Sequence, residues 1–572
     1  MGLLSKAKKI NNDLNEKKKC KLLLSIPWVL GCILFMLVLL KRGHFSYESN
    51  DDLFLSFIVN GAYGKYYRYN MFNSYPLSFL FSVLYSISAT FNWTFLYYYI
   101  FITLSYIIFG VWNIYRNKIV PAYITSSLLV VASYNALITR MNFSKSASII
   151  IAVGYILFVS SLVDDNWKSK WYRILRIISY VFIIGGFLIR WDTCLASLPF
   201  LFILVAYIFF SYKKQISRII PFIGIIISIV LIWGSNYIAY NVDSDWKYWS
   251  EYNAERATLL DYYMVDYDDY AEQFEEIGIS RNDYEALKDW IYADDETFDL
   301  ETMRKIVVIR NQSYNQYFKI NKQNLETSIL NCLDLLKNNS IIYVAIFLFL
   351  MIVPLLSGKE TITLMSVFIV SMGEIFYLIF LQRCPERALF LPIMILFAAV
   401  IFFMNKVDVN KEWVISLLTV FVLVYSFYAS NLYCINRLQG YQYSNRDETI
   451  RMLEELSSRE SNLYVWDGHE RDLLRFVYSP KDVPEFGIEK NFVMLGGWSV
   501  PSPIMSDRTE IYGEKYNYLK LLAENENVYF ISKSDESLGI IEQYIREHYN
   551  SEVKTELTET IGTYKIYSFK AD

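Results

Sequence analysis

Twelve apolar runs, each close to the ~20 residues a helix needs to cross a bilayer, constrain this chain more than any motif in it. They fall at 22–40, 75–91, 95–114, 119–138, 147–163, 173–189, 194–212, 218–240, 341–357, 361–381, 388–404 and 412–431. Composition agrees: 572 residues that are 54% hydrophobic and only 20% charged are too apolar for an ordinary soluble enzyme. The chain reads as a polytopic, all-α membrane protein.

Charge placement corrects the count. If all twelve runs crossed, the basic connections at Arg116/Lys118, Lys168/Lys170/Arg173, Lys213/Lys214/Arg218 and Lys406/Lys411 would lie outside, against the excess of Lys and Arg in cytoplasmic loops. Removing one crossing before residue 114 reverses them all. The weakest run is 75–91, which opens with Tyr75-Pro76 and carries Ser and Thr through its length. It is expected as a juxtamembrane helix on the outer leaflet, its proline near the first turn, where a missing N–H costs least. About eleven spans remain. The basic stretch 1–21 has no small-residue cleavage site and is expected to stay cytoplasmic, with the C-terminus outside.

The outer face then collects 41–94, the acidic and aromatic segment 241–340, and everything after about 432. Within 241–340, Ser280 and Asp283 have capping-box spacing before a helix, and a second helix start follows at Asp299. The tail alternates types: a helix over 447–458, strands at 462–467, 492–495 and 528–532, helices over 514–523 and 537–549, and a hairpin about Gly562. That alternation predicts an extracytoplasmic α/β domain. The expected parts are therefore a tail 1–21, a transmembrane module 22–240 with a first outer loop 41–94, a helical outer segment 241–340, further spans in 341–431, and the domain 432–572. The six cysteines have no paired spacing, so neither zinc nor a disulfide framework is indicated, and a net charge of −4 gives no nucleic-acid signal. Frequent Lys, Asn, Ile and Tyr suggest an AT-rich, bacterial genome.

Chemistry concentrates after the first span. Asp51 and Asp52 follow its exit closely, with aromatic residues and the cations Lys65 and Arg68 behind them. The pair fits two descriptions, a reaction centre facing a lipid-borne substrate or an acidic first turn of an interfacial helix. Further outward cations are Arg140, Lys145, Arg190, Arg256, Arg383 and Arg387. An arginine at a membrane boundary can hold a phosphate through two parallel hydrogen bonds, or can snorkel to headgroups or pair with nearby acids. Asp192 could neutralise Arg190.

The order of these parts resembles the glycosyltransferase C superfamily, in particular the protein O-mannosyltransferases and the lipid A aminoarabinose transferases. Residues 22–240 match its module of seven spans. Asp51-Asp52 match its acidic motif, Gly61 or Gly64 a downstream turn, Tyr75-Pro76-Leu77 part of its Pro-Pro-Leu helix, and Arg140–Lys145 a short outer turn. The spacing from acidic pair to glycine is shorter here. The resemblance implies a polyprenyl-phosphate sugar donor, an extracytoplasmic glycan, teichoic acid or lipid acceptor, and membrane lipids as surroundings. Such a transfer requires a base for the acceptor proton but no strong acid for the leaving phosphate. Asp51 matches the catalytic position, with Asp52 orienting it or the acceptor. No cofactor is required on this reading; a magnesium or manganese ion on the two carboxylates is the alternative. A glycan polymerase or ligase, a lipid or solute transporter and a non-catalytic scaffold are the competing functions.

Overall fold

The computed structural model describes residues 18–43, 45–212, 215–313, 320–338, 340–404 and 446–570, with scattered positions between 406 and 431. Most of the expected span 412–431 and most of the tail 1–21 lie outside the described residues. Among these residues, eight helices are long and apolar enough to cross a membrane: Cys20–Arg42 (α1), Trp93–Arg116, Phe143–Val163, Lys170–Ile189, Asp192–Ser211, Ile216–Val242, Lys359–Phe380 and Glu386–Met404. Three shorter apolar helices, Tyr75–Ile87, Ile119–Tyr134 and Ile341–Leu355, accompany them. The protein is a multi-pass membrane protein.

Helix α2 (Asn50–Asn60) follows α1, and α3 (Tyr75–Ile87) lies beyond it. At 13 residues, α3 is about 20 Å long, short of the ~30 Å hydrocarbon layer. Both its flanks sit at the same end of the bundle. The Ser74 amide donates to the Leu188 carbonyl (3.0 Å), and Asn92 donates to the Asp482 carbonyl (3.0 Å). Proline occupies its first turn, and the orphan Tyr75 N–H is satisfied by Asn236 Oδ1 at 2.8 Å. The chain therefore leaves α1 and enters α4 (Trp93–Arg116) from one end. At the opposite end Lys21 Nζ reaches the Asn117 carbonyl (2.7 Å) and Arg218 the Asp164 carbonyl (3.0 Å). The basic connections carrying Arg116, Lys118, Lys168, Lys170 and Arg218 gather there.

After α5 (Ile119–Tyr134) the central span is α6 (Phe143–Val163), buried from Phe143 to Leu162. It packs closely on α7 (Lys170–Ile189) because glycines allow the approach. A Cβ at Gly186 would lie 2.5 Å from Ile151, and one at Gly154 2.7 Å from Ile183. The bundle continues with α8 (Asp192–Ser211) and α9 (Ile220–Val242).

Outside the bundle, α10 (Ser244–Leu260), α11 (Arg281–Lys288) and α12 (Leu300–Gln312) form the helical segment, with the Ser280–Asp283 box and the Asp299 cap in place. The membrane helices α13 (Lys359–Phe380) and α14 (Phe390–Met404) come next. The last region begins with α15 (Arg446–Ser457). Its five strands are β1 (Leu463–Trp466), β2 (Phe492–Met494), β3 (Val528–Ser532), β4 (Lys554–Ile561) and β5 (Tyr564–Lys570). They lie in the order β2-β1-β3-β5-β4, the first three parallel and β5 antiparallel to both neighbours. The hairpin turns at Gly562, whose φ of 61° is left-handed.

Side chains of β1 alternate between two cores, as a strand's period of two requires. Leu463 and Val465 join Val493, Phe530, Tyr252, Tyr284 and Met303 in one core; Tyr464 and Trp466 join the core of the membrane module. Segment 241–312 and the C-terminal domain, separated in the sequence reading, thus share a single core on one face of the sheet. On the other side the domain clasps α2: the Gly487 and Glu489 amides donate to the Gly61 and Ala62 carbonyls (2.9 and 2.8 Å). Gly61 has φ 90°, and a side chain there would strike Phe486 at 2.6 Å.

Candidate functional site

Asp51 and Asp52 occupy the first turn of α2, and that placement separates them. Successive helical residues point about 100° apart, so two neighbouring carboxylates cannot face the same way. Asp52 turns back to the helix start, accepting from the Ser49 amide (3.1 Å) and hydroxyl (2.6 Å). It also accepts from Asn142 Nδ2 (3.0 Å) and the Phe143 amide (2.9 Å), which ties α2 to the start of α6. Burial outweighs these four donors and pushes its pKa up to about 7. Asp51 faces the other way. One of its oxygens accepts from Trp498 Nε1 (2.8 Å), and the other pairs with Arg387 (3.0 Å).

That second direction is a cavity of about 840 Å³. Its walls come from α2, the junction of α7 with α8, helix α10, the end of α13, the turn 383–388 and two loops of the C-terminal domain. Four arginines line it: Arg190, Arg256, Arg383 and Arg387. Arg190 donates to Ser144 Oγ (2.8 Å) and pairs with Asp192 (3.4 Å). Arg256 engages Asp261 through both terminal nitrogens (3.0 and 3.3 Å), and Arg383 reaches the same carboxylate at 2.8 Å. One aspartate thus serves two guanidinium groups. Their planes are backed by rings, Arg256 over Trp290 (5.4 Å) and Arg383 over Tyr262 (4.6 Å).

Four other cations from the sequence reading lie outside the cavity lining. Lys65 is an exposed partner of Asp507 (2.7 Å), and Arg68 sits 5.5 Å over the Phe79 ring. Arg140 belongs to a two-residue parallel pairing of 140–141 with 46–47. Lys145 is fully buried, held by Glu48 (2.8 Å) and Glu386 (3.0 Å) over the Phe390 ring; it fastens the turn 383–388 to the first outer loop.

Several lining residues had no sequence signal of their own: Asp261, Tyr262, Trp290, His469 and Asp472. They lie on distant parts of the chain, with no spacing that joins them. Trp498 lines the cavity as well. It packs 5.0 Å from Phe72. Glu374, a carboxylate within α13, lines the cavity too.

The donor set does not suit a metal shared by Asp51 and Asp52, because their oxygens are committed to separate partners on separate sides of α2. Among the described residues, one group of three potential ligands lies close together: Asp283, Glu547 and His548, in the outer region.

No family model matches the chain, and no curated protein matches it. Among solved structures, the chain is similar to ArnT from Cupriavidus metallidurans bound to undecaprenyl phosphate, with a TM-score of 0.41 and 9% identity over 95% of this chain and 97% of that one.

Proposed function

We propose that this protein is an integral-membrane glycosyltransferase that moves a sugar from a polyprenyl-phosphate donor to an extracytoplasmic glycan, teichoic acid or lipid. The observation that carries the reading is a carboxylate, Asp51, on the wall of a cavity that also gathers Arg190, Arg256, Arg383 and Arg387 at one end of the membrane bundle. A largely apolar cavity that gathers four arginines beside membrane helices suits a substrate with an anionic head and an apolar tail.

In the proposed reaction Asp51 takes the proton of an acceptor hydroxyl. The acceptor oxygen forms a bond to the sugar's anomeric carbon as the bond from that carbon to the phosphate oxygen breaks. The electron pair leaves with the phosphate, where the arginines meet the growing negative charge. Before substrate enters, Arg387 holds Asp51, and Asp261 holds Arg256 and Arg383. An arriving phosphate would compete for these guanidinium groups and release Asp51 as a base. Asp52 positions α2 on α6 and touches no substrate. Because the two aspartates face apart, the phosphate charge is assigned to arginine rather than to a divalent cation.

The positive-inside rule puts the basic end of the bundle in the cytoplasm and the cavity outside. The test pairs binding with chemistry. Purified protein in nanodiscs should bind undecaprenyl phosphate and not undecaprenol, as read by native mass spectrometry, and Arg383→Ala with Arg387→Ala should abolish that binding. Cells lacking the protein should lose one sugar from a surface polymer or lipid, and Asp51→Asn should not restore it. Equal binding of the two lipids, or full restoration by Asp51→Asn, would overturn the reading. A transporter is the second reading, favoured by the carboxylate of Glu374 within a span at the cavity wall.

A further inference from the structure

Part of the cavity lining is built by the C-terminal domain. Two adjacent parallel strands, β1 and β2, end there: the chain leaving β1 supplies Gly468, His469 and Asp472, and the chain leaving β2 supplies Gly496, Gly497 and Trp498. The carboxyl ends of neighbouring parallel strands are where open α/β sheets hold ligands, because the loops diverge there and leave a crevice.

The groups these loops supply differ from the four arginines. Asp472 accepts from Asn50 Nδ2 at 2.6 Å, and Asn50 Oδ1 accepts from the Asp51 amide at 2.9 Å. Asp472 is thereby linked to the residue beside the proposed base. Burial raises its pKa, and the charge of Asp51 adds to that effect. The His469 amide is fixed by Asp467 Oδ1 (2.8 Å), at the start of the turn that carries its imidazole to the cavity. The Gly496–Gly497 backbone is held against the helical segment, where Gly497 N donates to Tyr292 Oη (2.7 Å). A side chain at Gly496 would fall 2.0 Å from the Trp290 carbonyl, so bare backbone is enforced at this edge. A carboxylate, an amide, an imidazole and an indole recognise hydroxyl groups on a ring. The carboxylates of Asp472 and Asp51, linked through Asn50, repel a second phosphate.

We infer that the carboxyl ends of β1 and β2, with Asp472, His469 and Trp498, form the acceptor subsite, and that its ligand is the polyhydroxylated ring of a sugar. This deepens the glycosyltransferase reading and rests on it for the word acceptor. The two walls then divide the work. The arginine wall takes the phosphate, the strand-end wall takes the sugar that is glycosylated, and Asp51 stands between them.

The test uses full-length protein in nanodiscs saturated with undecaprenyl phosphate. A panel of methyl α-glucoside, α-galactoside, α-mannoside and N-acetylglucosaminide is titrated by saturation-transfer NMR. At least one should bind, and Asp472→Ala and His469→Ala should each weaken it by about fivefold or more, as loss of one good hydrogen bond implies. Binding of undecaprenyl phosphate should stay within about twofold of wild type, inside the scatter of a single-site change remote from the phosphate wall. Because Asp472 also holds Asn50, His469→Ala is the deciding variant if Asp472→Ala does not fold. No glycoside binding to wild type, or binding unchanged in His469→Ala, would overturn the subsite. A glycoside that binds through His469 in a protein indifferent to undecaprenyl phosphate would uphold the subsite while removing the donor assignment.

Discussion

Two clusters of charge lean on helix α2, and they differ in what they leave open. At the cavity, Asp51 is shared between Trp498 and Arg387, and Asp261 between two arginines, so each acid serves several partners at a wall that substrate can reach. At the joint with the C-terminal domain, Arg471 and Glu489 pair with both side chains fully buried, and Arg471 also reaches Tyr63 Oη (3.1 Å) and lies over the Phe54 ring (4.4 Å). The joint is sealed. Burial alone therefore does not mark a reactive charge; access does. A sealed pair fixes a geometry, whereas an accessible, multiply shared charge can exchange its partner for a ligand.

Asp51→Asn should reduce sugar transfer by about 10²-fold to 10⁴-fold, the usual range for a lost general base, with an unchanged melting temperature. A melting temperature that falls as transfer falls would move Asp51 into the structural class. At the joint the opposite pattern is expected: Glu489→Leu leaves Arg471 buried without its counter-ion and should destabilise the fold by about 3–5 kcal/mol. Adding Arg471→Leu should recover much of that, because a buried pair replaced by apolar side chains is often neutral. Calorimetry of the single and double variants reads both.

Smaller effects sharpen the division. Arg387→Ala should lower turnover by about 10²-fold, and Arg387→Lys should recover only part of it, since an ammonium cannot reproduce the planar fork. Turnover within about threefold of wild type, far short of that effect, would place the phosphate elsewhere.

Asp52 supplies a pH test. Its folded pKa of about 7 lies above the unfolded value of 3.8, so the folded state binds more protons between these limits. Its contribution to stability is greatest below about pH 4, falls as pH rises towards about 7, and is level above that. The difference in melting temperature between wild type and Asp52→Asn, followed from pH 4 to 8, should show this slope; a pH-independent difference would contradict it. Lys65→Ala should do least: an exposed pair with Asp507 contributes about 1 kcal/mol or less, and transfer should not change.

Much of the architecture is legible in local pattern, because its causes are local. Runs of about twenty apolar residues make spans, and the displaced run 75–91 betrays itself through Tyr75-Pro76 and its polar residues. Ser280–Asp283 and Asp299 cap the helices their spacing predicts. The strands at 463–466, 492–494 and 528–532 follow their apolar content, and the hairpin follows Gly562. Segment 241–312 resembles a separate unit in sequence only because its partner strands are more than a hundred residues away.

The cavity is the part that tertiary structure decided. Arg190 and Arg140 are the same side chain at similar membrane boundaries, yet one lines the cavity and the other does not. Asp51 and Asp52 are adjacent and chemically equal until the helix rotates them apart. Asp472 meets Asn50 across 422 positions of chain, and Trp498 meets Asp51 across 447. Apolar length and capping depend on neighbours within one or two turns, so sequence determines them. Which polar groups share a wall depends on how spans and sheet pack, and packing joins residues whose separation along the chain carries no information about their distance in space.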